Sequence, residues 1–169
     1  MSTIYEKAAE NAINLVSWIQ DIIKMSSKIL SERGRDAEKY GSSFRTRARS
    51  FPELMESSGL LPTCTYFYAE ATEEGYRKIC ELLDRERIDA SDVEVISGIK
   101  EEVFGYAVFL HGVLNFLEVM NIIRDHRDPV NAIKELNETS RLALARSLIL
   151  PYLMEVKKLS EALFKSERE

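Results

Sequence analysis

Residues 103–117 read VFGYAVFLHGVLNFL, fifteen consecutive positions without Asp, Glu, Lys or Arg. Such an apolar run marks the central helix of a bundle. A membrane span is the rival reading, but the run is interrupted by His111 and Asn115 and falls short of the ~20 apolar residues a bilayer requires. It is therefore expected inside protein. Asp89 or Ser91 is placed to cap this helix, which is predicted to run to about Ile123.

The flanking sequence repeats the helical rhythm. Between Ser2 and Glu32, apolar residues fall at Ile4, Ala8, Ala12, Leu15, Ile19, Ile22, Ile23, Ile29 and Leu30, close to three-and-four spacing. Ser2 or Thr3 can cap this helix and Gly34 can end it. From Arg35 on, a helical wheel gathers Ala37, Tyr40, Phe44 and Ala48 on one arc and Arg35, Lys39, Arg45 and Arg49 on another. One face is apolar and the other cationic. Ser50-Phe51-Pro52-Glu53 has the form of a capping box, so the chain is predicted to restart or kink there before a short helix that stops at Gly59. Pro62 suits the first turn of the next helix, and a further amphipathic stretch carries Tyr76, Ile79, Cys80, Leu82 and Leu83. Asp128-Pro129 favours another start, and a final long helix is predicted to bend at Pro151.

The whole chain supports that reading. At 169 residues, with 45% hydrophobic and 30% charged residues but only 7 Gly and 4 Pro, it can bury a core and lacks the turn residues of a β-sandwich. The expected architecture is all-α: a single helical bundle of five or six helices spanning residues 1–169. The N-terminus lacks a basic start followed by an apolar segment, so no secretory signal is read and the cytoplasm is the expected compartment. Cys64 and Cys80, sixteen residues apart, lack the spacing of zinc ligands or a redox turn and read as ordinary reduced thiols.

Catalysis has no visible seat. There is no Glu-x-x-His pair, His-Glu-x-x-His motif, Gly-x-Ser-x-Gly elbow or Walker loop, and no Arg lies at ribonuclease-like spacing before either histidine. His111, within the apolar run, reads as a hydrogen-bonded core or interface residue. His126, in the charged turn Arg124-Asp125-His126-Arg127-Asp128, reads as a solvated surface residue. Neither a catalytic residue, nor a metal site, nor a cofactor is expected. An enzyme using buried carboxylates would need acids converging in a pocket.

Charge is the informative feature. Six cations (Arg33, Arg35, Lys39, Arg45, Arg47 and Arg49) face two acids between residues 33 and 49, a local balance of +4 in a chain of −5, leaving −9 elsewhere. Guanidinium forks match phosphate oxygens, so a cationic helix face can follow a nucleic-acid backbone without reading bases. The alternative is a helical protein–protein interaction module with no nucleic-acid role, whose cationic face docks on an acidic protein. Tyr40 and Phe44 lie on the apolar arc, and Tyr66, Phe67 and Tyr68 read as core or interface.

The segment Lys39-Tyr40-Gly41 through Phe51-Pro52-Glu53-Leu54-Met55-Glu56-Ser57-Ser58-Gly59-Leu60 to Tyr66-Phe67-Tyr68-Ala69 resembles the small helical subunit of the type III-B CRISPR effector, the Cmr complex. The shared pattern is a Tyr-bearing helix, a Pro, an apolar pair, Gly-Leu and an aromatic helix ending in small residues. The resemblance implies a bundle without catalytic activity of its own, packed in a row with copies of itself and with the other subunits of the CRISPR effector complex. That row would line the channel for guide and target RNA, bound without regard to sequence. Arg35, Lys39, Arg45 and Arg49 are then the first expected backbone contacts, Arg33 and Arg47 the next, and Lys157 and Lys158 a further pair on the last helix. No membrane partner is expected.

Overall fold

The structure, a computed structural model, describes residues 2–138 and 140–168. Among the described residues there are eight helices and no strand: α1 (Ile4–Glu32), α2 (Glu38–Ser58), α3 (Leu60–Ala71), α4 (Glu73–Leu83), α5 (Ala90–Ser97), α6 (Glu101–Val119), α7 (Pro129–Glu138) and α8 (Leu142–Leu163). The all-α expectation holds, but the count of five or six was too low.

Local chemistry explains most of the boundaries. Thr3 caps α1 through a reciprocal box, its hydroxyl accepting from the Glu6 N–H while the Glu6 carboxylate accepts from the Thr3 N–H. Gly34 (φ 70°) and Gly59 (φ 93°) take the left-handed turns that end α1 and α2. Of the restart or kink expected at Ser50–Glu53, the restart does not occur. Helix α2 runs unbroken through Pro52, with Phe51 and Met55 buried on either side of the missing N–H, and it begins at Glu38, so Arg35 precedes the helix. Helix α8 likewise continues through Pro151.

The long helix expected from residue 89 to 123 is two helices, broken at Gly98-Ile99-Lys100. Carbonyls freed by that break find donors from elsewhere in the chain. The buried Tyr40 hydroxyl donates to the Ile96 and Ile99 carbonyls, both at 2.9 Å, and Arg35 donates to the Ser97 carbonyl at 2.5 Å. The segment after Pro62 is also split, at Thr72, whose left-handed φ of 64° turns the chain while its hydroxyl accepts from the Gly75 N–H at the start of α4.

Helix α6 is the hub. By length and composition it could cross a membrane, yet 72% of its apolar window is buried inside the protein, against α1, α2, α3, α4 and α8. A helix buried on nearly all sides must let its neighbours' backbones approach. Gly105 does so for α2: a Cβ there would lie 2.2 Å from Ser43 Oγ and 3.0 Å from the Ser43 backbone carbonyl. Around this contact Phe44, Phe51, Phe67 and Phe109 interlock, with ring centroids 4.9–5.8 Å apart. One contiguous cluster joins these rings to the buried faces of α1 and α8.

Gly105→Ala is expected to lower the unfolding free energy by about 1–3 kcal/mol, the range for overpacking, despite alanine's better helix propensity. Urea denaturation checks this. An unchanged or raised stability would show that the α2–α6 contact is not tight.

Candidate nucleic-acid interface

The basic segment is divided by the fold into cations used internally and cations left outside. Arg33 donates to Ser97 Oγ at 2.8 Å and pairs with Glu94 at 2.9 Å. Arg35 bridges the Ser97 carbonyl, the Tyr40 hydroxyl (2.9 Å) and Glu101 (3.1 Å). Both therefore clamp the α1–α2 connection to α5 and the start of α6. Arg47, expected as a further contact, is engaged inside the fold: its guanidinium lies 4.0 Å over the Tyr106 ring and donates to the Tyr106 hydroxyl at 2.6 Å.

Lys39, Arg45 and Arg49 do share one arc of α2. Six and then four residues separate them, which places all three within about 120° and along about 15 Å of helix axis. Arg45 is half-buried and donates to the Phe164 carbonyl at 2.8 Å, which aligns it along α2 beside the end of α8. Lys39 and Arg49 are exposed, and neither has an ion-pair partner among the described residues. Lys157 and Lys158 sit on α8, with Lys158 paired to Glu155 at 2.7 Å. The eight cations proposed from sequence thus do not form one continuous track.

Nor is the surface groove beside the start of α2 a phosphate cleft. Its volume is about 600 Å³, and its walls hold Asp36, Glu38, Glu101, Glu102 and Glu167 against Lys39, Arg47 and Lys165. With five acids to three cations, it repels a polyanion. The available cationic surface is the outer arc of α2.

The histidines depart from expectation. His126 is not solvated: it is 5% exposed, tied to Glu118 and Asp84. His111 is buried as expected but is not hydrogen-bonded, since neither ring nitrogen has a partner. Burial, and then His126, push its imidazolium down to about 3. Sequence spacing could not reveal this pair, because Asp84 lies 42 positions before His126. Cys64 and Cys80 are free and buried, and burial pushes each thiol up to about 12.

The division of the cations has a direct consequence for stability. Arg35→Ala strips three partners and is expected to cost about 1–3 kcal/mol, whereas Lys39→Ala and Arg49→Ala should stay within about 0.5 kcal/mol of the parent. Chemical denaturation of the three variants measures the contrast; equal losses would mean that the inner and outer cations are not distinct.

Comparison with known proteins gives this geometry a context. No family model matches the chain, and no solved structure does. The chain is 31% identical over 134 residues to the CRISPR system CMR subunit Cmr5 of Saccharolobus solfataricus (strain ATCC 35092 / DSM 1617 / JCM 11322 / P2), a match covering 75% of this chain and 81% of that protein. A likeness of that extent, running through most of both chains, places this helical protein in the Cmr5 family of small CRISPR CMR subunits.

Proposed function

We propose that the chain is a non-catalytic small subunit of a cytoplasmic type III-B CRISPR effector, holding the backbone of guide or target RNA electrostatically and scaffolding its neighbours. Family membership supports the assignment to a CMR effector. The observation that carries the RNA contact is the arc of Lys39, Arg45 and Arg49, whose outer two members are exposed and form no ion pair among the described residues. An arc of about 15 Å suits two or three successive phosphates of an extended strand.

Such a contact is sequence-tolerant and modest in isolation. Three neutralised phosphates on a single strand give a slope of log affinity against log salt of about −2. Assembly raises the effective concentration of RNA at each subunit, so a weak individual contact can still matter in the complex. Scaffolding has its own support. Leu144, Leu150 and Met154 lie within one arc of α8 and are 51%, 42% and 63% exposed, an apolar row suited to a neighbouring subunit or a second copy.

The experiment is a reconstituted effector carrying Lys39→Glu together with Arg49→Glu. Arg35 and Arg45 are left intact because they hold the fold, and changing them would confuse loss of structure with loss of RNA. The double variant should keep its helicity and melting temperature, enter the complex, and lose RNA retention with a shallower salt dependence. Undiminished retention at low salt removes α2 as the RNA surface; loss of assembly with RNA retained favours docking on an acidic protein.

A further inference from the structure

We propose that Asp84, His111 and His126 form a zinc-binding site, with Glu118 orienting His126. The three residues come from separate parts of the chain. Asp84 caps the C-terminus of α4, His111 lies in the middle of α6, and His126 lies in the connection from α6 to α7. Their ligand atoms all lie within 4.8 Å of one another. His126 Nε2 is 3.3 Å and His111 Nε2 is 4.0 Å from Asp84 Oδ1, and the two rings stand edge to face with centroids 4.7 Å apart. Zinc bonds of 2.0–2.2 Å in a tetrahedron put neighbouring ligand atoms roughly 3.3–3.5 Å apart. The Asp84–His126 edge already has that length, and the Asp84–His111 edge needs to shorten by about 0.5 Å.

Hydrogen bonding accommodates the tautomer that such a site requires. Glu118 accepts from the His126 backbone N–H at 3.1 Å through one oxygen and lies 3.0 Å from His126 Nδ1 through the other. An ionised carboxylate only accepts, and Glu118 is the nearer of the two, so in the form a zinc ligand needs the Nδ1 proton points to Glu118 and the Nε2 lone pair faces Asp84. A lone pair then opposes a carboxylate oxygen at 3.3 Å, an arrangement that asks for a positive charge between them. A carboxylate behind a ligating histidine is the usual support of a zinc ligand. Tyr76 further anchors the connection by donating to the His126 carbonyl.

His111 supplies the independent observation. Its side chain is only 7% exposed, both ring nitrogens lack any hydrogen-bond partner, and it opens onto Asp84 and His126. A buried polar atom left unsatisfied destabilises the fold, and a bound metal would satisfy His111 Nε2, leaving only Nδ1 without a partner. An imidazolium at His126, clamped between Glu118 and Asp84, would satisfy His126 but leave His111 orphaned. The site's field also favours a cation, since Asp84 and Glu118 both stand at helix C-termini, where backbone carbonyls add negative potential. Arg127 lies 3.7 Å from Asp84 and 3.5 Å from Asp125, so the three carboxylates Asp84, Glu118 and Asp125 with Arg127 carry −2, which one divalent ion balances to zero. Two imidazoles and a carboxylate select zinc over magnesium. The metal would join α4, α6 and the following connection, adding its binding free energy to folding.

The test uses the full chain, stripped with a chelator and titrated with zinc against a chromophoric competitor. One zinc per chain and a raised melting temperature are expected. Asp84→Asn, at a position whose side chain is 37% exposed, should fold and lose at least tenfold in zinc affinity. Glu118→Gln should lose tenfold or more through misoriented His126. Cobalt(II) in place of zinc should give tetrahedral d–d absorption without a thiolate charge-transfer band, and Cys80→Ser should leave zinc binding unchanged. Substoichiometric zinc, undiminished affinity in Asp84→Asn, or a thiolate band would overturn the site.

Discussion

The close approach of α2 to α6 at Ser43 and Gly105 is the constraint on which the other contacts rest. Helix α6 carries thirteen buried residues, from Phe104 to Leu117 with Asn115 excepted, and has no polar face to turn to water. It can be enclosed only if its neighbours come near, and dispersion falls away quickly when facing atoms are held even slightly apart. Gly105 provides the space on the α2 side. Gly112 does the same farther along, where a Cβ would stand 2.4 Å from the Tyr152 hydroxyl and 2.7 Å from a methyl of Leu15. These two glycines let α1, α2 and α8 wrap one helix, and the aromatic rings between α2, α3 and α6 fill the remaining volume.

Electrostatic roles follow from that packing. With α2 pressed onto α6, the connection before α2 lies beside the α5–α6 break, and its arginines become the donors that the break needs. Arg33 and Arg35 are therefore used in holding the bundle together, and their charges are balanced by Glu94 and Glu101. The opposite arc of α2 turns Lys39 and Arg49 to the solvent, with Arg45 half-buried between them on the Phe164 carbonyl. A single basic segment is thus divided, and its outer part carries Lys39 and Arg49, which form no ion pair among the described residues.

Much of this was legible in the sequence, for local reasons. The apolar run 103–117, the glycine stops at 34 and 59, the Thr3 cap and the start at Asp128-Pro129 all depend on residues within a turn of one another. The apolar arc of Ala37, Tyr40, Phe44 and Ala48 is fully enclosed, as its spacing requires. What was not legible depends on distant partners. The break after Ser97 is stabilised by a tyrosine hydroxyl from 56 and 59 positions away, and Thr72 adopts a left-handed turn that its residue type disfavours. The wheel begun at Arg35 assumed helix where the chain is still a connection, so it placed Arg35 on a face that does not include it. His126 sits in a run of charges that reads as surface, yet Glu118 and Asp84 draw it inward.

The central claim is that the outer arc of α2, and not the whole basic segment, meets RNA. Photo-crosslinking of RNA in the assembled effector, followed by mass spectrometry of the peptide adducts, addresses it most directly. Adducts concentrated at Lys39 and Arg49, with none at Arg33 or Arg35, are the expected result. Adducts spread over Arg33, Arg35 and α8, or absent from α2 altogether, would contradict it.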